Sequence, residues 1–224
     1  KRYNHIILLV VLIFFVISFI TNILNSIISD VKESFDLSLT LTGLLPFSFF
    51  IAYGVMSIPA GFLSEKYSYK KLLAFSFFIM SVASLTFVLF PGYLVFSLTL
   101  FTLGCCMAVL QVIINPMLRV AGGEENFAFN SVLAQLVFGL ASFASPFLYK
   151  YLAKDSINEG FSIASILKAY VPNNMPWIAL YIIFAVIAFI FLARMMFFAI
   201  LEASCSSPNI LIINFKLFSS NLLT

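Results

Sequence analysis

The amino-acid sequence predicts an all-α membrane protein, with six transmembrane helices arranged as two inverted repeats of three helices. The first observation is composition: of 224 residues, 62% are hydrophobic and 9% are charged, whereas soluble domains are about half apolar and a quarter charged. The second is length, because six apolar runs can each cross a bilayer at about 1.5 Å per residue. The third is a short pattern from the first run that recurs in the fourth.

Composition also excludes several classes of function. The net charge is only +3 and the basic residues are scattered, which favours neither nucleic-acid binding nor a basic helix on the membrane surface. Cys105, Cys106, Cys205 and His5 have no metal-ligand spacing, so we expect no metal site and no cofactor. The predicted spans contain no paired acids, no nucleophile beside a base and no phosphate loop, so we expect no enzyme.

The six predicted helices differ in the polar residues that they carry. They cover residues 6–28, 41–63, 72–90, 94–118, 131–152 and 176–198. The second places Gly54, Ser57 and Gly61 on one side, a small-residue pattern that lets two membrane helices approach closely. The third has neither amide nor charge, so we expect it at the periphery. The sixth begins with Trp177 and Tyr181, which suit the headgroup belt.

A polar stripe on the fourth helix is the main functional signal. Gln111, Asn115 and Arg119 recur every four residues, so they fall near one side of a helix. Polar groups are costly in hydrocarbon and seldom face lipid, which predicts a protein-lined interior or a water-filled cavity. The candidate substrate-binding residues are the amides Asn22, Asn25, Gln111, Asn115 and Gln135. The alternative is hydrogen bonding between helices, worth about 0.6 and at most about 2 kcal/mol.

An internal repeat supports pairing the first helix with the fourth. Residues 24–29, LNSIIS, match residues 110–115, LQVIIN, in a leucine, an amide and an Ile-Ile pair. With three helices in each unit, equivalent helices run in opposite directions, as in the inverted repeats of many secondary transporters.

Charge at the helix ends predicts the orientation in a multi-pass cell membrane. Lys1, Arg2 and the net charge of +2 in the turn between the second and third helices place the amino terminus on the cytoplasmic side. The first apolar run is too long for a signal-peptide core, so we expect it to be a retained span. The long polar connection from residue 153 to 175, in which two lysines balance two acids, then lies outside.

The turn at residues 61–71, GFLSEKYSYKK, resembles the major facilitator superfamily signature between helices 2 and 3. Glu65, Lys66 and Lys70 keep the charge pattern, whereas Ser68 and Tyr69 depart from it. A wider string from residue 6 to 198, including GLLPFSFFIAYGVMSIPAGFL and NPMLRVAGGEENFAFNSVLAQ, resembles the branch of fucose permeases and glucose/galactose transporters. The likeness covers the amino-terminal half of a twelve-helix transporter, which implies a missing carboxy-terminal half as partner.

The resemblance implies a sugar transporter of the bacterial inner membrane, whose two halves rock about a central site. Members of that branch use one carboxylate in helix 1 and one in helix 4 for sugar binding and proton coupling. Asn25 and Gln111 stand at those places here, and amides suit sugar hydroxyls but carry no proton near neutral pH. The possible coupling cation is sodium or a proton. The amides leave three alternatives, which are sodium coupling, facilitated diffusion, or a proton-coupling residue in the missing half.

The resemblance also implies gating by the signature charges. The candidate gating residues are Glu65, Lys66, Lys70 and Arg119. We hypothesise that Glu65 and Arg119 pair or share a network that latches the inward gate. The alternative is two solvated helix ends, where an exposed pair contributes about 0 to 1 kcal/mol. We expect Glu124 and Glu125 to lie in a solvated loop.

The sequence divides into a six-helix bundle at residues 1–201 and an atypical tail at 202–224. The tail has the character of a truncated or shifted reading frame. Two functional hypotheses follow for this chain. The first is a half transporter that moves a hexose-type sugar, such as glucose, galactose or fucose, by alternating access. The second is a self-contained six-helix membrane protein that acts as a homo-oligomeric channel or scaffold.

Overall fold

A computed structural model describes residues 4–153 and 175–205, with side chains described for 7–150, 175 and 177–194. The described residues form six α-helices and no strand. The helices are α1 Asn4–Ser34, α2 Leu39–Lys66, α3 Tyr69–Leu89, α4 Tyr93–Gly122, α5 Glu124–Ala153 and α6 Ala179–Cys205. A 3-10 turn, Pro176–Ile178, precedes α6. The predicted all-α fold class is confirmed. The connection at residues 154–174 and the tail from residue 206 lie outside the described residues.

Most helix ends run past the bounds that apolar sequence indicated. The first helix continues to Ser34, so Asp30, Lys32 and Glu33 are helical rather than in a loop. Only Gly123, with a φ of 75°, separates α4 from α5, where the sequence suggested a loop from residue 119 to 130. Hydropathy marks only the roughly 20 residues inside the hydrocarbon, whereas polar turns outside it remain helical.

Helices α1 to α5 are long and apolar enough to cross a membrane, and the described part of α6 from Ala179 to Arg194 is also apolar. The first five helices are joined by connections of one to four residues, so consecutive helices run in opposite directions. Ser38 is the N-cap of α2, and its Oγ accepts a hydrogen bond of 3.3 Å from the Leu41 amide.

Helices α1, α2 and α3 pack on the second half of the bundle in the same way as α4, α5 and α6 pack on the first half. The first helix packs mainly on α5, and α4 packs mainly on α2. Tyr93 at the start of α4 donates to the Leu41 carbonyl at the start of α2 over 3.2 Å, so these two helices are parallel. The third and sixth helices are antiparallel, because Phe87 stacks on Trp177 and Phe77 stacks on Phe191. Equivalent helices therefore run in opposite directions, as the inverted repeat requires.

A cluster of aromatic rings closes the end of the bundle at which α6 begins. Trp177 contacts the rings of Phe35, Phe87 and Phe96, and its Nε1 donates to Ser34 Oγ over 2.9 Å. Trp177 and Tyr181 are 0% and 1% exposed, so the expectation that they lie in the headgroup belt is wrong. Rings from α3 and α4 contact both residues, and Phe35 of the connection between α1 and α2 also contacts Trp177, so protein replaces the lipid.

Candidate functional site

Three of the candidate amides, Asn22, Gln111 and Gln135, lie near the middle of their helices, whereas Asn25 and Asn115 lie toward opposite ends of the bundle. A Cβ atom added to Gly122 would lie 3.8 Å from Ile7 Cδ1, so the end of α4 lies beside the start of α1. The same number of residues leads forward along α1 from Ile7 to Ser18 and back along α4 from Gly122 to Gln111, so Gln111 lies at about the depth of Ser18. Ser18 Oγ donates to the Phe138 carbonyl of α5 over 2.5 Å, so Gln135 lies within about one turn of that depth.

Three of these amides lie on the surface of the body. Asn25, Asn115 and Gln135 are exposed, whereas Asn22 and Gln111 are half-buried. An amide in a spanning segment is costly against hydrocarbon and seldom faces lipid. The surface around these side chains is therefore better suited to water, a polar ligand or another protein segment than to lipid tails.

Two of the asparagines make their hydrogen bonds within their own helices. Asn22 Nδ2 donates to the Ser18 carbonyl over 2.8 Å and to Ser18 Oγ over 3.3 Å. Asn115 Nδ2 donates to the Gln111 carbonyl over 3.3 Å. These bonds link no helix to another, so interhelical bonding accounts for neither side chain.

Gln111 differs, because it reaches the neighbouring helix. The hydroxyl of Tyr53 on α2 donates to Gln111 Oε1, and both side chains are half-buried. Tyr53 was not among the residues that the sequence indicated. A tyrosine far from the ends of a span was the signal that could have found it, because a buried phenol usually finds a hydrogen-bond partner.

Small residues leave open space on the outer faces of α2 and α5. A Cβ atom added to Gly54 or Gly61 on α2, or to Gly139 on α5, would meet no atom within 4 Å. Gly139 lies one turn from Gln135. The exposed large apolar side chains of α5 are Phe129, Val132, Leu136, Leu140, Phe143, Phe147 and Leu148. Gln135 lies one turn from Val132, and Gly139 lies one turn from Phe143. The small and polar positions of α5 therefore border its exposed apolar surface.

The candidate gating residues lie at the end of the bundle that holds the start of α1. Glu65, Lys66 and Lys70 are exposed around the turn between α2 and α3. The guanidinium of Arg119 lies 2.6 Å from Glu124 Oε1, with side chains 62% and 79% exposed. The described ion pair of Arg119 is thus with Glu124 rather than Glu65. Glu124 is in the first turn of α5 rather than a loop, because only Gly123 separates α4 from α5.

The whole arrangement matches known membrane proteins. A family model for the Major Facilitator Superfamily matches residues 10–210. The glucose/galactose transporter of Brucella abortus biovar 1 (strain 9-941) is 28% identical over 194 residues, which are 85% of this chain and 46% of that protein. The L-fucose-proton symporter of Escherichia coli (strain K12) is 27% identical over 126 residues, 55% of this chain and 29% of that protein. The chain spans about half the length of the first of these curated relatives.

Solved structures show the same fold. A crystal structure of the E. coli fucose:proton symporter superimposes with a TM-score of 0.62 at 22% identity, over 88% of this chain and 49% of that one. A Major Facilitator Superfamily transporter in the outward conformation superimposes with a TM-score of 0.65 at 21% identity, over 88% and 50%. The six helices described here correspond to the amino-terminal half of that fold.

Proposed function

The chain belongs to the Major Facilitator Superfamily, and from that premise we propose that it supplies one half of a secondary transporter for a hexose-type sugar. Glucose, galactose and fucose are the proposed substrates, moved across the cell membrane by alternating access. The observation that carries the proposal is the set of amides within the spans of α1, α4 and α5, three of them exposed. Amides offer both donors and acceptors to sugar hydroxyls without carrying charge.

Sugar binding to this chain is the first test. The full chain in lipid nanodiscs is mixed with D-glucose, D-galactose or L-fucose at millimolar concentration, and saturation-transfer NMR detects weak binding. We expect signal transfer to at least one sugar, and a loss of most of it in Gln111→Leu and Gln135→Leu. Leu136→Ala is the matched control, because Leu136 is the exposed apolar neighbour of Gln135 and its variant should bind as the wild type does. Binding that survives both glutamine substitutions contradicts the proposed site.

A second six-helix body is the proposed partner, covering the outer faces of α2 and α5. The support is the open space at Gly54, Gly61 and Gly139, since small residues let helix backbones approach closely in membranes. Uptake by this chain alone should therefore be small compared with that of a complete transporter. Cysteine cross-linking from position 54 or 139 in native membranes distinguishes the alternatives. A defined homo-oligomer would favour the channel or scaffold hypothesis over the half transporter.

The coupling cation, sodium or proton, is proposed to act through groups other than Asn25 and Gln111, because neither amide can take up a proton near neutral pH. Sugar binding to this chain should then change less than twofold between pH 5.5 and pH 8. Asn25→Asp and Gln111→Glu are the informative variants, since a carboxylate at either position should introduce pH dependence. A steep pH profile in the wild type would contradict this part of the proposal.

Gating is proposed to involve the charges around the turn between α2 and α3 together with Arg119. The support is their position at one end of the bundle, where Lys66 Nζ lies 5.6 Å from the ring of Tyr67 and Arg119 pairs with Glu124. Glu65→Gln should change the rate of conformational exchange in the assembled transporter, measured by fluorescence between one label on α2 and one on the second six-helix body. Lys32→Gln, a charge change at the opposite end, serves as the control.

Orientation is the last part of the proposal, with the amino terminus on the cytoplasmic side of a bacterial inner membrane. The turn between α2 and α3 would then be cytoplasmic, and the connection between α1 and α2 external. Single cysteines at Ser68 and Ser38, both exposed, test this with a thiol reagent that does not cross membranes. Labelling at Ser38→Cys in whole cells, and at Ser68→Cys only after lysis, is the expected outcome.

A further inference from the structure

A hydroxyl on α2 determines which end of the Gln111 amide is available to a ligand. We propose that Tyr53 is a positioning residue, which holds the Gln111 carbonyl toward α2 and turns the Gln111 NH2 group toward the sugar. This inference rests on the proposed function, because it assigns a direction to one hydrogen-bonding group of the same site.

Close packing between α2 and α4 brings the two side chains together. A Cβ atom added to Gly104 would lie 2.3 Å from the Phe49 carbonyl oxygen and 3.1 Å from Ala52 Cβ. The backbones of α2 and α4 therefore touch at Gly104, as small residues allow in membrane helices. Tyr53 lies one turn beyond Phe49, and Gln111 lies two turns beyond Gly104 on the parallel helix. This geometry lets the Tyr53 hydroxyl meet Gln111 Oε1.

The hydrogen bonds leave complementary groups on two helices. An amide has one carbonyl acceptor and two N–H donors. The carbonyl of Gln111 accepts from Tyr53, which leaves its two Nε2 hydrogens as the groups for a ligand. Asn22 is arranged in the opposite way, because its Nδ2 donates to the backbone carbonyl and Oγ of Ser18 and its Oδ1 remains as an acceptor. Thus α4 presents donors and α1 presents an acceptor.

This division suits a neutral ligand that carries several hydroxyl groups. A hydroxyl accepts one hydrogen bond and donates another, so one ligand can accept from Gln111 and donate to Asn22. A metal cation finds no lone pair on the Gln111 NH2 group, and a simple anion finds no donor at Asn22 Oδ1. Fixing the amide in one orientation therefore favours a ligand that both accepts and donates hydrogen bonds.

Nuclear magnetic resonance can observe the orientation directly, because Gln111 and Gln135 are the two glutamines of the sequence. The full chain is labelled with 13C at the glutamine side-chain carbonyl and 15N at the side-chain amide. A Gln135→Ala variant assigns the two sets of signals. Tyr53→Phe should move the carbonyl carbon signal of Gln111 by losing its hydrogen bond, and leave Gln135 unchanged.

Tyr93→Phe is the matched control, because the Tyr93 hydroxyl also joins α4 to α2, through the Leu41 carbonyl at 3.2 Å. It should leave both glutamine signals in place. An unmoved Gln111 carbonyl carbon in Tyr53→Phe overturns the proposal. So does a change confined to the amide protons, which would mean that the NH2 group faces Tyr53.

Sugar titration completes the test. In the wild type, D-galactose or L-fucose should shift the Gln111 amide protons, and Tyr53→Phe should weaken that binding about fivefold to tenfold. If a sugar binds and shifts other signals while the Gln111 protons stay still, the positioning role is wrong. If no sugar binds but Tyr53→Phe still moves only the Gln111 carbonyl, the proposed function fails while the hydrogen bond stands.

Discussion

Helices α1 and α4 form the centre of the six-helix body, whereas α2 and α5 form two of its outer faces. In α1 and in α4, 61% of the most apolar stretch is buried, against 17% in α2 and in α5. The exposed side chains of the outer pair are nevertheless largely apolar, such as Phe47, Ile58 and Phe143. Apolar character therefore does not separate central from outer helices.

The difference follows from the bilayer as solvent. Lipid tails are as apolar as leucine, so no hydrophobic driving force chooses which helix lies in the centre. Close packing and a few polar contacts decide instead. On α4 the central position depends on Gly104, which touches the Phe49 carbonyl, and on α1 it depends on Ser18, which contacts α5. Substitutions at central and outer positions should separate these contributions.

The largest difference should come from the aromatic cluster at the start of α6. Trp177→Ala removes a fully buried ring that joins α1, α3 and α4, and truncation of a buried tryptophan costs about 3–5 kcal/mol. Phe143→Ala on the exposed face of α5 should cost less than about 1 kcal/mol, in line with the usual range for surface substitutions. Thermal unfolding of the chain in detergent measures both. Equal losses would mean that the outer face is packed as tightly as the cluster.

A smaller difference should separate two glycines. Gly104→Ala forces a methyl group against a backbone carbonyl, and overpacking of this kind costs about 1–3 kcal/mol. Gly54→Ala places the methyl group in open space, and alanine favours the helix by about 1 kcal/mol. The two variants should therefore shift the melting temperature in opposite directions. A stabilised Gly104→Ala would contradict the close contact between α2 and α4.

The smallest effect should come from a single hydroxyl. Ser18→Ala removes the donor to the Phe138 carbonyl at the crossing of α1 and α5, and interhelical bonds of this type contribute about 0.6 kcal/mol on average. Ser57→Ala is matched to it, because Ser57 Oγ donates to the Gly54 carbonyl of its own helix. Ser57→Ala should have the same melting temperature as the wild type in the same thermal unfolding assay. A larger loss of stability in Ser57→Ala than in Ser18→Ala would contradict the assignment of α1 as a central helix and α2 as an outer helix.

Several features could be predicted from the sequence because they depend on local pattern. Runs of about 20 apolar residues predict spanning helices, and the spacing of Gln111, Asn115 and Arg119 predicts one polar side. The match between residues 24–29 and 110–115 pointed to the inverted repeat, which the pairing of α1 with α5 and α4 with α2 confirms. The roles of the amides in sugar binding remain a proposal.

Other features depended on residues far apart in the chain. Arg119 pairs with Glu124 because the α4 to α5 connection is one residue long, which hydropathy could not indicate. Trp177 is buried because rings from α3, α4 and the connection between α1 and α2 reach it, although an aromatic residue at a helix end usually indicates the headgroup belt. The local sequence around Trp177 would suit the headgroup belt as well as a buried cluster, so it does not distinguish the two.

The sequence by itself determined that the chain spans the membrane several times and carries amides within the spans, because both properties belong to single helices. Only the tertiary structure decided that α1 and α4 lie at the centre and that Tyr53 meets Gln111. The physical reason is that lipid and protein interior accept the same apolar side chains. Which faces touch is then decided by close backbone approach at residues such as Gly104, and that requires the neighbouring helix to be in place.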